Sequence, residues 1–355
     1  MGELVPRLGG DIEERPAAGG PGVVYSAVEH RSYEALRAAI RLGADCDRPS
    51  QSGLTPLTLA VKRNDTKALS ILLESRRVEV DFATTDGMTP LFVSVADRQY
   101  GCMALLLKAG ADPNVICRPT ERVKPGEDPT AFSPLTFAIH KGDVFSFDLL
   151  LAFGADPNLI PDINGPPLFI AAALRQDSMA DALLKMGADV NQGNGRGGTP
   201  IFAAATNDDA KVLEVLLKAG ADPNIAIRGG ITPLMQTIRR NCTDAFKALL
   251  TCHRLNVNKI DNNGLSALNH AINARSTWHV RQLLKKGITV DTIDPGQTTP
   301  LMHACMQGSK SIIRLLVEKG ADCHVQDKYG RSADTHCQQA LGISIQDVMK
   351  VQNEY

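Results

Sequence analysis

Hydrophobic positions mark this chain at a nearly fixed interval. Leucine pairs fall at Leu72-Leu73, Leu106-Leu107, Leu150-Leu151, Leu183-Leu184, Leu216-Leu217, Leu249-Leu250 and Leu283-Leu284, and Leu316-Val317 closes the series. Their spacings are 34, 44, 33, 33, 33, 34 and 33 residues. A tetrapeptide of the form Thr-Pro-Leu-x keeps the same rhythm. Its second residue is Pro56, Pro90, Pro134, Pro167, Pro200, Pro233, Ala267, Pro300 and Ala333. Two unrelated markers that share one period, and one break, define an internal repeat.

Each repeat predicts two short helices. Thr55, Thr89, Ser133, Thr199, Thr232, Ser266 and Thr299 precede the tetrapeptide's second residue. Their side-chain oxygens suit the cap position, where a free backbone N–H needs an acceptor. Proline suits the first helical position, where no N–H is missed. The second helix ends in the leucine pair, and Gly43, Gly110, Gly154, Gly187, Gly220, Gly287 and Gly320 supply a left-handed stop. Two repeats have Arg77 and Arg254 near that place instead, with one extra residue before Asp81 and Asn258. A longer turn is expected there.

"TPLTLA", "TPLFVS", "TPIFAA", three copies of "GADPN", and "GADVN" at Gly187–Asn191 resemble the ankyrin repeat over about residues 21–355. The resemblance implies an all-α repeat solenoid, with helix-turn-helix units joined by β-hairpin fingers. It divides the chain into a degenerate cap at 21–49, eight internal repeats at 50–326 and a truncated repeat at 327–355. Residues 1–20 show no apolar period and are expected to be disordered. The family places His after Thr-Pro-Leu; here Thr58, Phe92, Thr136, Phe169, Phe202, Met235, Asn269 and Met302 stand there. A more apolar seam between repeats is expected. The last stretch, from Ser332, reads as a capping helix pair without a clear ubiquitin-ligase recruiting box.

Composition narrows the function classes. A net charge of -1 gives no global attraction to nucleic acid or anionic lipid. No apolar run approaches the roughly 18 residues of a membrane span, and the start lacks a signal-peptide core. Eight scattered cysteines without a CxxC pair read as reduced thiols. The expectation is a monomeric cytoplasmic or nuclear protein that binds no nucleic acid and no cofactor and does not enter the membrane.

Candidate chemistry is sparse. "GNGRGG" at Gly193–Gly198 matches the dinucleotide-binding spacing, but that site needs a strand before it and a helix opening on its last glycines. Here the glycines belong to a finger turn. His270, His303 and His336 are spaced by 33 residues, with Cys305 and Cys337 nearby. Zinc and structural hydrogen bonding compete as readings. Neighbouring helices lie ~8–10 Å apart, too far for all three histidines to reach one ion at ~2 Å. No motif anchors a catalytic set, so no enzyme activity and no metal site are expected. A metal- or redox-responsive role for these His and Cys residues is the alternative function.

The resemblance also implies a working surface at the finger tips and at the concave ends of the first helices. Those ends carry Lys62, Arg63, His140, Lys141, Thr206, Asn207, Arg239, Arg240, Asn273, Met306 and Gln307; the tips carry Arg196, Arg228 and Tyr329. Three basic pairs on a nearly neutral chain suggest a stripe for an acidic or extended peptide. Solvated helix ends are the competing reading. The 44-residue interval places eleven extra residues between Asn114 and Pro134, with Arg118, Arg122 and Lys124 among the added finger residues. This irregular finger is a second candidate contact. Asn114, Asn158, Asn191 and Asn224, each with Leu eight residues earlier, resemble substrates of an asparaginyl hydroxylase. The function expected is a non-enzymatic scaffold or adaptor that binds a partner protein.

Overall fold

The computed structural model describes residues 22–85, 87–118 and 131–350. Two compact units divide at Ile170 and Ala171. The first contains the pairs α1 (Val23–Glu29) and α2 (Tyr33–Arg41), α3 (Pro56–Lys62) and α4 (Thr66–Glu74), α5 (Pro90–Ala96) and α6 (Tyr100–Lys108), and α7 (Pro134–Lys141) and α8 (Val144–Ala152). Helix α9 (Pro167–Ala173) contains the division. The second unit continues with α10 (Asp177–Lys185), α11 (Pro200–Thr206) and α12 (Ala210–Lys218), α13 (Pro233–Arg240) and α14 (Thr243–Thr251), α15 (Ala267–Asn273) and α16 (Thr277–Lys285), α17 (Pro300–Met306) and α18 (Lys310–Glu318), and α19 (Ala333–Leu341) and α20 (Ile345–Lys350).

Within each unit, first helices pack on first helices and second on second. α3 packs on α5 and α5 on α7 in the first unit, as α13 packs on α15 and α15 on α17 in the second. The leucine pair explains the cohesion. Its first member is fully buried in every repeat, from Leu72 through Leu316. Each such side chain contributes roughly 1.5–3 kcal/mol relative to exposure.

The sequence's cap assignments hold with one exception. Thr55, Thr89, Ser133, Thr232, Ser266 and Thr299 each accept the N–H three residues on. Thr199 makes no cap bond, and its buried hydroxyl has no hydrogen-bond partner among the described residues. The polar residues of the Thr-Pro-Leu-x seam work as return caps: Ser133 N donates to Thr136 Oγ1 and Ser266 N to Asn269 Oδ1. Phe92, Met235 and Met302 are buried in the seam, whereas Phe169 and Phe202 are only half-buried. All seven predicted stop glycines have positive φ.

The two glycine-free ends are built differently from each other. Arg76, not Arg77, takes the left-handed conformation after α4 (φ 53°), whereas the chain leaves α14 extended at Cys252 (ψ 123°). Arg77 and Arg254 turn back to the preceding repeat. Arg77 Nη1 donates to Ile40 O; Arg254 Nη1 and Nη2 donate to Gly220 O and Leu217 O. Ile40 O and Leu217 O already accept Gly43 N and Gly220 N, so these guanidinium bonds add a second donor to carbonyls at a neighbouring helix end.

The fingers are tighter than β-hairpins. Their pairing reduces to single antiparallel bridges, Cys117 with Phe132, Ile260 with Ser266 and Gln326 with Ser332, among the described residues. The regular fingers are too short for a ladder. They close through one bond over four residues, as from Asp261 N to Leu265 O. The Cys117–Phe132 bridge closes the base of the irregular finger. Residues 119–130, including Arg122 and Lys124, lie outside the described residues, as do the predicted disordered residues 1–20.

Candidate protein-binding surface

In the second unit, packing of α11, α13, α15 and α17 places the ends of these first helices side by side. That row carries Thr206, Asn207, Arg239, Arg240, Asn273, Met306 and Gln307, two cations and no carboxylate. Arg239 and Arg240 are exposed in the last turn of α13 and have no ion-pair partner among the described residues. The amides are tied within the row: Asn207 Nδ2 donates to Ala173 O at 2.7 Å, and Gln307 Nε2 to Asn273 Oδ1 at 2.9 Å.

The first unit presents a different picture at equivalent places. Lys62 and Arg63 are exposed at the end of α3, but Arg63 donates to Glu29 O and lies 3.9 Å from the Glu29 carboxylate. His140 meets Phe132 edge-on at 5.2 Å. Desolvation there lowers its pKa, partly offset by Asp162, so the ring is driven toward its neutral form. Lys141 keeps its charge outward with Nζ 5.3 Å from the Phe137 ring. Arg118, exposed, follows the bridge at Cys117.

The finger tips Arg196 and Arg228 are exposed. Tyr329 is 69% exposed and has two cations near its ring, Lys328 Nζ at 5.0 Å and Arg331 Cζ at 4.9 Å from the centroid.

The three histidines form three separate pairs. His270, His303 and His336 each donate from Nε2 to Oδ2 of an aspartate nine residues earlier, Asp261, Asp294 and Asp327, at 3.0–3.1 Å. The other oxygen of each aspartate accepts two backbone N–H groups of the finger, as Asp327 Oδ1 does from Tyr329 and Arg331. Burial works against the charged form of Asp327. Bonds from Arg331, Tyr329 and His336 nevertheless hold it well below the usual carboxylate range. Burial lowers the His270 pKa despite Asp261. No group of three or more His, Cys, Asp or Glu side chains with metal-binding geometry occurs among the described residues. Seven of the eight cysteines are buried; burial pushes the Cys102 thiol up to about 11 and Cys305 far above the thiol range.

The sequence reading missed one column entirely. The turn between the two helices of a repeat puts Arg31, Asn64, Arg98, Gly142, Arg175, Asp208, Asn241, Arg275 and Gly308 at positive φ. Their spacing follows the same 33, 34 and 44 rhythm, a signal hidden because only two are glycine. Several bridge to the next repeat. Arg31 and Arg98 approach the buried carboxylates of Asp65 and Asp143 at 3.8 and 3.9 Å. The same carboxylates accept from Tyr33 and Tyr100. Asp208 Oδ1 accepts from Asp244 N at 3.0 Å and Ala245 N at 2.8 Å, at the start of α14, whose own cap residue Cys242 offers no bond.

These paired helices, repeated caps and finger turns define an ankyrin-repeat array. The family model for ankyrin repeats (3 copies) matches residues 24–117, 135–227, 201–294 and 234–327, and the chain belongs to that family. Such repeats are typically protein–protein interaction modules. Among curated proteins, the chain is similar to the nuclear factor NF-kappa-B p105 subunit of Gallus gallus, 30% identical over 45% of this chain and 16% of the relative. It is 25% identical to the E3 ubiquitin-protein ligase KEG of Arabidopsis thaliana over 79% of this chain and 18% of that protein. The alignments thus span less than a fifth of these relatives. The ankyrin repeat domain of Bcl-3 superposes with a TM-score of 0.57 at 22% identity, covering 62% of this chain and 98% of that one. The human ASB11 ankyrin repeat domain gives 0.51 at 26% identity, covering 63% and 100%. No helix among the described residues is long and apolar enough to cross a membrane.

Proposed function

We propose that the chain is a non-enzymatic scaffold that captures an acidic, extended segment of a partner protein on the first-helix ends of its second unit. The observation that carries this reading is the exposed Arg239–Arg240 pair, without an ion-pair partner among the described residues, on a row without carboxylates. Two adjacent cations on a pre-formed surface favour a carboxylate-bearing strand, and little conformational entropy is lost on capture. Met306 adds an apolar contact at one end of the row, 42% exposed. Arg196, Arg228 and Tyr329 extend the contact onto the fingers, while Lys62, Arg63, His140, Lys141, Arg118 and the irregular finger with Arg122 and Lys124 provide a second set. The chain acts as a monomer in the cytoplasm or nucleus in this reading.

The test uses the full chain and a fluorescein-labelled peptide alternating glutamate with serine and leucine. Binding by anisotropy is expected to weaken at least tenfold in Arg239→Glu/Arg240→Glu, and wild-type affinity to fall as salt rises. Equal affinity of wild type and variant would remove the row from the proposal. Replacing the eleven added finger residues by a short turn separates the second set: retained fold with lost binding assigns it to the partner.

A further inference from the structure

A groove lies between α2 and α4, away from the first-helix ends. It has a volume of about 170 Å3 and is lined by Arg37, Ile40, Arg41, Ile71, Glu74 and Ser75. Ile40 and Ile71 supply its apolar floor. Arg37 and Arg41 stand one helical turn apart on α2, both exposed and without an ion-pair partner among the described residues. The site therefore asks for an apolar side chain flanked by negative charge.

The chain contains such a segment close by. Asp11-Ile12-Glu13-Glu14 places one branched aliphatic residue between carboxylates. It precedes Gly22, which lies against the Arg48 side chain. Arg41 and Arg48 are seven residues apart, so at most roughly 25 Å of backbone separates them. Ile12 is ten residues before Gly22, a reach of up to roughly 35 Å. The tether is long enough, and a short tether raises the effective concentration of its segment to the millimolar range.

We propose that Asp11–Glu14 occupies this groove in cis, with Ile12 over Ile40 and Ile71 and its acidic neighbours facing Arg37 and Arg41. Glu74, on the rim, opposes the incoming carboxylates and keeps the contact weak enough for a competing acidic segment to displace it. The α2–α4 groove thereby becomes a self-occupied docking site, independent of the row at Arg239 and Arg240.

The experiment places a nitroxide on the α-amino group of the full chain. That amine is acylated selectively near pH 7 because its pKa is about 8, against about 10.4 for lysine. Isoleucine methyl signals are then compared between oxidised and reduced nitroxide. Ile40 and Ile71 are expected to fall below half intensity, with Ile139, on α7 and three first-helix packings from α1 in the same unit, unchanged. The loss should disappear in Arg37→Glu/Arg41→Glu, shrink in R37Q/R41Q and deepen in Glu74→Gln. Circular dichroism checks that each variant is folded. Unchanged Ile40 and Ile71 intensities in wild type would overturn the proposal, and so would an undiminished loss in the double reversal. A loss that appears on unlabelled copies mixed with labelled ones would assign the groove to a second molecule and equally overturn docking in cis.

Discussion

Asp208 and Arg275 occupy the same backbone site in two repeats of the second unit, with φ of 55° and 52°. The same substitution, to glycine, is expected to act in opposite directions at the two. A left-handed conformation costs a residue with a Cβ about 1 kcal/mol or more. Glycine removes that cost but makes the unfolded chain more flexible, which subtracts about 0.4–1 kcal/mol. Arg275 is exposed, with no side-chain hydrogen bond or ion pair among the described residues, so Arg275→Gly should range from neutral to about 1 kcal/mol stabilising. Asp208 additionally caps α14 through two N–H bonds where Cys242 offers none. Loss of a side-chain cap costs roughly 1–2 kcal/mol, and aspartate tolerates the left-handed region better than arginine does. Asp208→Gly should therefore destabilise by about 1–2 kcal/mol. Urea unfolding followed by fluorescence of Trp278, the single tryptophan, reads both variants in one unit. Shifts of the same sign and similar size in the two midpoints would refute the assignment of Asp208 as a cap supplied by the preceding repeat.

Further outcomes follow from buried polar groups. His279 is 1% exposed, and its Nε2 has no hydrogen-bond partner among the described residues. Burial lowers its pKa, so the unfolded chain takes up that proton more readily, and stability falls as pH drops below about 6.5. His279→Met, matching Met179 in an earlier repeat, removes the orphaned Nε2 but also the 2.7 Å bond between Nδ1 and Ser276 Oγ, so stability should change by less than about 1 kcal/mol at pH 7.5 and rise relative to wild type at pH 5.5, read from urea midpoints. Asp47 and Asp81 accept the N–H of Glu79 and Asp112, a role that Asn114, Asn191, Asn224 and Asn258 fill in other repeats. Burial raises both carboxyl pKa values, with neighbouring acids adding to it, so their charged forms subtract stability above the ordinary carboxyl pKa of about 3.9. Asp47→Asn and Asp81→Asn should raise the melting temperature at pH 7, and the gain should vanish by pH 3. Of eight thiols, only Cys323 is not buried. A thiol reagent should modify about one cysteine per native chain and eight after denaturation; rapid modification of Cys305 or Cys337 would favour the redox-responsive alternative.

Much of the fold was legible because capping chemistry is local. Thr or Ser before Pro, and Gly after the leucine pair, act within a few residues, and their positions transfer directly to the helix ends. Contacts between repeats were not legible in the same way. Arg63 reads as a free cation until Glu29 lies beside it, and His140 reads as basic until Phe132 shields it. The histidine column was visible as a spacing, but the aspartate nine residues earlier gained meaning only from the finger turn that brings the two together. Arg31, Arg98, Arg175 and Arg275 concealed the helix-helix turn because arginine carries no left-handed preference.

The bonds that Arg77, Arg254 and Asp208 make across repeat boundaries bear on how such a chain can be rearranged. Helix α2 and the end of α12 lean on residues supplied one repeat later, while α14 leans on one supplied a repeat earlier. Excising or transplanting a single 33-residue segment would strip a neighbour of a donor or acceptor it does not encode. The natural module for duplication or grafting in this chain is accordingly a run of at least two adjoining repeats.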